Sequence, residues 1–140
     1  MITLAVDPGK HASGWALFSD AGLVAAGFDS PKFFAIDQIV MEVPRIRRLG
    51  KSKGDPNDLV EVAISVGEWF GVHAEADRHR YYPAQWKGQL PKPECRARAH
   101  AVLSPTELAS VPKVAMTRGG TDMWDAIALG LVHLERLRMR

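Results

Sequence analysis

Four carboxylates stand where their neighbours call for something else. Asp7 closes the apolar run Ile2-Thr3-Leu4-Ala5-Val6 and is followed at once by Pro8-Gly9. Glu42 breaks into the apolar strand run Ile39-Val40-Met41 and Val43. Asp122 and Asp125 lie three residues apart, so on a helix both project from one face. Each has an ordinary explanation: Asp7 as a turn residue, the late pair as a cap that complements a helix dipole, Glu42 as an exposed strand end beside Pro44. Glu42 fits its ordinary explanation least well. An unpaired ionised carboxylate among apolar residues costs several kcal/mol, so it must neutralise, pair with a cation or bind a metal.

Together the four suggest more than any one alone. Adjacent strands lie ~4.8 Å apart, so Asp7 and Glu42 would converge if their strands are neighbours. A final helix could then lay Asp122 and Asp125 over the same point. Four carboxylates would repel and raise one another's pKa values unless cations sat between them. Hard oxygen ligands favour Mg²⁺, with Mn²⁺ as the alternative, over zinc. Two such ions ~3.5–4 Å apart would stabilise both the attacking and the leaving oxygen of a phosphodiester displacement. One would activate water while the other neutralised the leaving 3′ oxygen.

The remaining polar and aromatic candidates carry less. His11 follows the Asp7 turn and reads as a solvent-facing loop residue, although it could touch a phosphate. His73, His79, His100 and His133 show no metal-ligand spacing. Asp58 falls in the capping-box place of a helix start and is expected to cap. Trp86 could stack on an unpaired base or simply pack under a loop. Trp69, Phe70 and Trp124 lie on apolar helical stripes and are expected in the core.

The elements that must position these residues follow from pattern and punctuation. Strands are expected at Ile2–Asp7, Gly14–Phe18, Leu23–Phe28 and Ile36–Val43, the second and third joined at Asp20-Ala21-Gly22. Three antiparallel strands and a fourth apolar one make a mixed sheet with one covered face. Asp55-Pro56-Asn57-Asp58 predicts a helix start, and Leu59, Val62, Ala63, Val66, Trp69 and Phe70 recur at helical spacing up to Gly71. A fifth strand is expected at Arg80–Pro83, and helices from Pro93 to Leu103, from Ser104-Pro105-Thr106-Glu107, and from Thr121 to Leu137. Lys113 to Gly120 reads as a mobile loop. The order ββββαβααα predicts an α/β fold in a single domain spanning 1–140.

Composition narrows the class. Across 140 residues, 46% are hydrophobic and 24% charged, the balance of an ordinary globular protein. The single Cys95 excludes a disulfide framework. The N-terminal apolar run is too short for a signal peptide or a membrane span, so a soluble, cytoplasmic protein without membrane contact is expected. A net charge of +2 identifies no partner, but its distribution is uneven. Arg45, Arg47, Arg48, Lys51 and Lys53 crowd one segment, and Lys87, Lys92, Arg96 and Arg98 form a second cluster. Such clusters are either a phosphate footprint or solvated loops. Of these, Arg45, Arg47, Arg48, Lys51, Lys53, Lys87 and Lys92 are the candidate nucleic-acid contacts.

Leu4-Ala5-Val6-Asp7-Pro8-Gly9, followed by Ser13-Gly14-Trp15-Ala16-Leu17, resembles the opening of the RuvC-type Holliday junction resolvases, members of the RNase H-like (retroviral integrase) superfamily. The family pattern is an Asp-Pro-Gly ending strand one, a Glu ending strand four and a late acidic pair three residues apart. Asp7, Glu42 and Asp122-Met123-Trp124-Asp125-Ala126 match it in order, and Trp86-Lys87-Gly88 with Leu90-Pro91-Lys92 is most similar to compact phage-encoded members. The resemblance implies a mixed five-stranded sheet with helices on both faces, usually in a homodimer. It also implies cleavage of four-way junctions or related branched DNA in recombination and repair, with Mg²⁺ held by Asp7, Glu42, Asp122 and Asp125. Lys87 falls where the family places a lysine near the scissile phosphate. The alternatives are a nuclease of the same fold acting on RNA or another DNA structure, and a nucleotide- or nucleic-acid-binding domain that does not cleave.

Overall fold

The computed structural model describes residues 1–29, 31–44, 55–113 and 118–139. Their elements run β1 (Thr3–Asp7), β2 (Ser13–Ser19), β3 (Gly22–Asp29), β4 (Gln38–Glu42), α1 (Pro56–Val72), β5 (Asp77–Tyr81), α2 (Pro83–Trp86), α3 (Lys92–Val102), α4 (Pro105–Ala109) and α5 (Arg118–His133). The five strands form one sheet in the order β3-β2-β1-β4-β5. β1, β2 and β3 are joined antiparallel, whereas β4 and β5 continue the sheet parallel to β1. This is the expected mixed α/β sheet flanked by helices, with the short α2 added before α3.

Both faces are covered, not the single face that strand patterning alone suggests. β1 and β4 alternate their side chains between two apolar clusters. Ala5 and Val40 join Ala16, Phe18 and the buried residues of α3 and α5 on one side. Leu4, Val6, Ile39 and Met41 meet Trp69 of α1 on the other. A strand buried on both faces reads as a continuous apolar run, so the sequence hides its second cover.

Local chemistry explains most boundaries. Asp55 caps α1 through its side chain and Pro56 takes the first helical position, but Asp58 does not complete a capping box. Instead its carboxylate takes an ion pair from Lys10 at 2.9 Å. Ser104 and Glu107 do close a capping box on α4. β5 is Asp77–Tyr81 and not Arg80–Pro83, because Pro83 opens α2 and cannot donate to a ladder. Gly119 and Gly120, read as loop, lie inside the first turn of α5. Residues 114–117, the rest of the expected loop, lie outside the described residues. So do Arg45, Arg47, Arg48, Lys51 and Lys53. Among the described residues no helix is long and apolar enough to cross a membrane.

Candidate active site

β1 and β4 are parallel neighbours whose last paired residues are Val6 and Met41, so Asp7 and Glu42 come next, side by side at the C-terminal edge of the sheet. The two-residue strand period sends Asp7 to the face of Ala5, and Glu42 to that of Val40, which is the face α5 covers. Across the hairpin Asp7 pairs with Gly14. A Cβ on Gly14 would lie 2.1 Å from the carbonyl oxygen of Asp122 and 2.5 Å from the nitrogen of Met123. Only glycine lets the α5 backbone settle there, and that approach brings Asp122 and Asp125 to Asp7. Carboxylate oxygens of Asp7, Asp122 and Asp125 lie within 4.8 Å of one another.

Glu42 stands just outside that group, held by two donors. The indole N–H of Trp86 donates to its Oε2 at 2.8 Å, and Lys87 Nζ reaches the same oxygen at 3.1 Å. On the other side, Lys92 Nζ lies 3.3 Å from Asp125 and 3.9 Å from Asp122. Lys87 and Lys92, expected from sequence as phosphate contacts, are thus paired with the acidic cluster itself. Asp58 and His11 lie apart from it. Asp58 is taken by Lys10, and His11 lines a cavity of about 290 Å³ between the Gly9 turn and α1.

The electrostatics follow from this crowding. Burial first, then the negative charges of Glu42, Asp125 and Asp122, push the Asp7 carboxyl well above its usual range against the opposing pull of Lys87. Burial alone would lower the Lys87 ammonium, but Glu42, Asp125 and Asp7 outweigh it and raise Lys87 above its ordinary value. Carboxylates gathered this closely stay ionised together only with positive charge among them. The three mutually close ligands supply oxygen alone, with no histidine or cysteine in the group, which is the donor set of a hard divalent cation.

Three contributors escape a reading of the sequence. Gly14 is one, and its signal is its place opposite Asp7 in the hairpin register. The second is the lock on the turn after Asp7: Ser13 Oγ accepts the Gly9 N–H at 3.1 Å and the Trp69 indole N–H at 3.0 Å. Trp86 is the third. It is buried, and its polar edge serves Glu42 rather than a base. No local pattern announces a contact across 44 residues.

No protein-family model matches the chain, and no curated protein does. Solved structures do. Thermus thermophilus RuvC bound to a Holliday junction substrate superposes with a TM-score of 0.67 at 17% identity, over 96% of this chain and 92% of that one. Another structure of Thermus thermophilus RuvC gives a TM-score of 0.57 at 12% identity over 99% of both chains. The fowlpox virus Holliday junction resolvase gives 0.54 at 15% identity, over 98% of this chain and all of that one. The chain therefore has the RNase H-like fold of the RuvC-type resolvases over nearly its whole length, as its opening residues imply.

Proposed function

We propose that this chain is a divalent-cation-dependent endonuclease of branched DNA, with the four-way junction as its substrate. The observation that carries the reading is the meeting of Asp7, Asp122 and Asp125 oxygens within 4.8 Å at the edge of a RuvC-like sheet. The fold supports the substrate, since one solved protein sharing it is bound to a Holliday junction. On this reading residues 1–140 form a single nuclease domain serving recombination and repair in the cytoplasm.

Asp7, Asp122 and Asp125, with Glu42 beside them, would hold Mg²⁺ or Mn²⁺, in all two ions. When bound, these ions supply an activated water and neutralise charge on the leaving 3′ oxygen. The protein's own part is placement and charge. The glycine contact at Gly14 sets how closely α5 approaches β2, and with it the paired Asp7 of β1. Ser13 and Trp69 fix the turn beyond Asp7. Lys87, with a side chain only 16% exposed, balances Glu42 from within. Lys92 has 57% of its side chain exposed and can leave the carboxylates for a phosphate once cations take its place. Arg45, Arg47, Arg48, Lys51 and Lys53 are proposed to grip the backbone, so affinity falls steeply with salt. A twofold homodimer would present two such sites to the two symmetry-related strands of a junction.

Cleavage of a four-way junction, a Y-fork, a linear duplex and an RNA–DNA hybrid tests the reading. Wild-type protein with Mg²⁺ is expected to cut the junction, and Asp7→Asn to lose at least about 10³-fold in rate while still binding it. An Asp7→Asn protein that cuts at the wild-type rate would falsify the proposal. Preference for the hybrid would move the substrate to RNA.

A further inference from the structure

We infer that Trp86 is a positioning residue, one that holds the Glu42 carboxylate at the end of β4 beside Asp7. Its catalytic consequence rests on the nuclease reading above. The contact itself does not.

The indole is 2% exposed and belongs to the same apolar cluster as Val40, Cys95 and Ala99. Its carrier is a single turn, α2, closed at both ends. Gln85 Oε1 accepts the Tyr82 N–H at 2.6 Å, and Pro83 O accepts the N–H groups of Lys87 at 3.0 Å and Gly88 at 3.2 Å. The ring therefore arrives with its orientation set. A buried indole N–H needs an acceptor, and a backbone carbonyl would satisfy it. Here the acceptor is a charged carboxylate at 2.8 Å, and such charge-assisted bonds are the strong ones.

The next residue reinforces the contact. Lys87 Nζ sits over the Trp86 ring, 5.0 Å from its centroid, and reaches the same Oε2 at 3.1 Å. Both donors thus converge on one oxygen, and among the described residues Oε1 takes no hydrogen bond. Without them Glu42 has every reason to leave: it carries a long side chain with rotamer freedom to regain, and the Asp7 carboxylate beside it repels it. A carboxylate with one oxygen pinned offers its other oxygen in a fixed direction. Groups that orient cation ligands in this way typically change affinity or rate by 10–100-fold when removed.

Trp86→Phe keeps the apolar bulk and deletes the N–H. Mn²⁺ affinity, measured calorimetrically without DNA, is expected to weaken by about 10-fold or more, and kcat on the junction to fall by about 10–100-fold with KM within about 2-fold. In a Glu42→Gln background the same change should cost less than about 2-fold in each. An equal loss in both backgrounds would mean that Trp86 only packs, and would overturn the inference. Should Trp86→Phe not fold, the indole ¹⁵N–¹H resonance of Trp86 decides: it is expected to shift in Glu42→Gln, and an unmoved resonance sinks the contact. A wild-type protein that cuts none of the four substrates defeats the nuclease reading, yet the Mn²⁺ comparison still judges Trp86.

Discussion

Helix α5 drives Met123, Ala126, Ile127, Ala128, Leu129 and Leu131 completely out of solvent, whereas α1, one residue longer, buries Trp69 and leaves Val60, Ile64 and Val72 about half exposed. The two helices cover opposite faces of one sheet, so the contrast is in how they approach it. α5 comes in on glycine contacts: its backbone at Asp122 rests on Gly14, and its own Gly130 sits where a Cβ would lie 2.2 Å from the Phe18 ring. Along α1, a Cβ at Gly67 or Gly71 would meet nothing within 4 Å. Catalytic geometry tolerates errors of a fraction of an ångström. The chain places two of its acidic residues on the tightly seated helix, and the looser helix reaches the turn beyond Asp7 through the Trp69–Ser13 hydrogen bond and the Asp58–Lys10 ion pair.

The sharpest way to break that contrast is Gly14→Ala. A methyl 2.1 Å from a main-chain oxygen has no flexible neighbour to displace, so the start of α5 must retreat by roughly 1 Å. A displacement of that size can cost about 10²-fold in rate. Junction cleavage by Gly14→Ala is expected to fall by that factor and Mn²⁺ binding to weaken with it, alongside a loss of about 2–3 kcal/mol in urea unfolding. Wild-type cleavage from this variant would show that α5 does not need the contact.

A smaller effect tests what anchors the far end of α5. Arg136 grips Glu107 with Nη1 at 2.6 Å and Nη2 at 2.9 Å, and Glu107 also accepts the backbone N–H groups of Leu23 and Ser104, each at 2.8 Å. One buried carboxylate thus ties the β2–β3 hairpin, α4 and the segment after α5 together. The Arg136 hydrogen bonds, helped by those from Ser104 and Leu23 and opposed by burial, pull its pKa down to about 2. A carboxyl lowered on folding stabilises above its unfolded value near 4.5 and loses that contribution as pH falls toward 2. Arg136→Met leaves the charge buried and unmatched, and should cost about 2 kcal/mol at pH 7. The gap between the variant and wild type should close between about pH 4.5 and pH 2. A gap independent of pH would assign the loss to packing of the arginine stem instead.

The same contrast explains what the sequence makes legible. Strand ends show themselves by punctuation, so Asp7 before Pro8-Gly9 and Glu42 before Pro44 can be placed on β1 and β4. The spacing of Asp122 and Asp125 then needs only a helix. Whether those groups meet depends on strand order and on the missing Cβ of Gly14, neither of which is a local property. β5 is misplaced because Asp-Arg-His-Arg-Tyr carries no apolar alternation: among the described residues it is an edge strand paired with β4. The early start of α5 is hidden by Gly119 and Gly120, whose propensity argues for a loop. Asp58 carries a correct cap signal whose outcome tertiary structure overrides through Lys10. Trp86 reads as a residue that stacks on a base or packs under a loop, since nothing local announces that its indole N–H meets Glu42 across 44 residues.

The gentlest probe lies on the looser face and should carry the opposite sign. Gly67, inside α1, and Gly71, in its last turn, have no neighbour to crowd, so the only physical effect of a methyl is to restrict the unfolded chain and favour the helix. Gly67→Ala and Gly71→Ala are each expected to stabilise by about 0.5–1 kcal/mol with cleavage unchanged. Gly130→Ala in α5 gains the same helix propensity, yet it must drive a Cβ into Phe18, which is 1% exposed and has nowhere to turn. Urea unfolding of these three variants therefore measures packing against propensity with one chemical change throughout. Were Gly67→Ala or Gly71→Ala to destabilise as Gly130→Ala does, the outer face of α1 would have to be covered in solution. The two sides of the sheet would then be built alike.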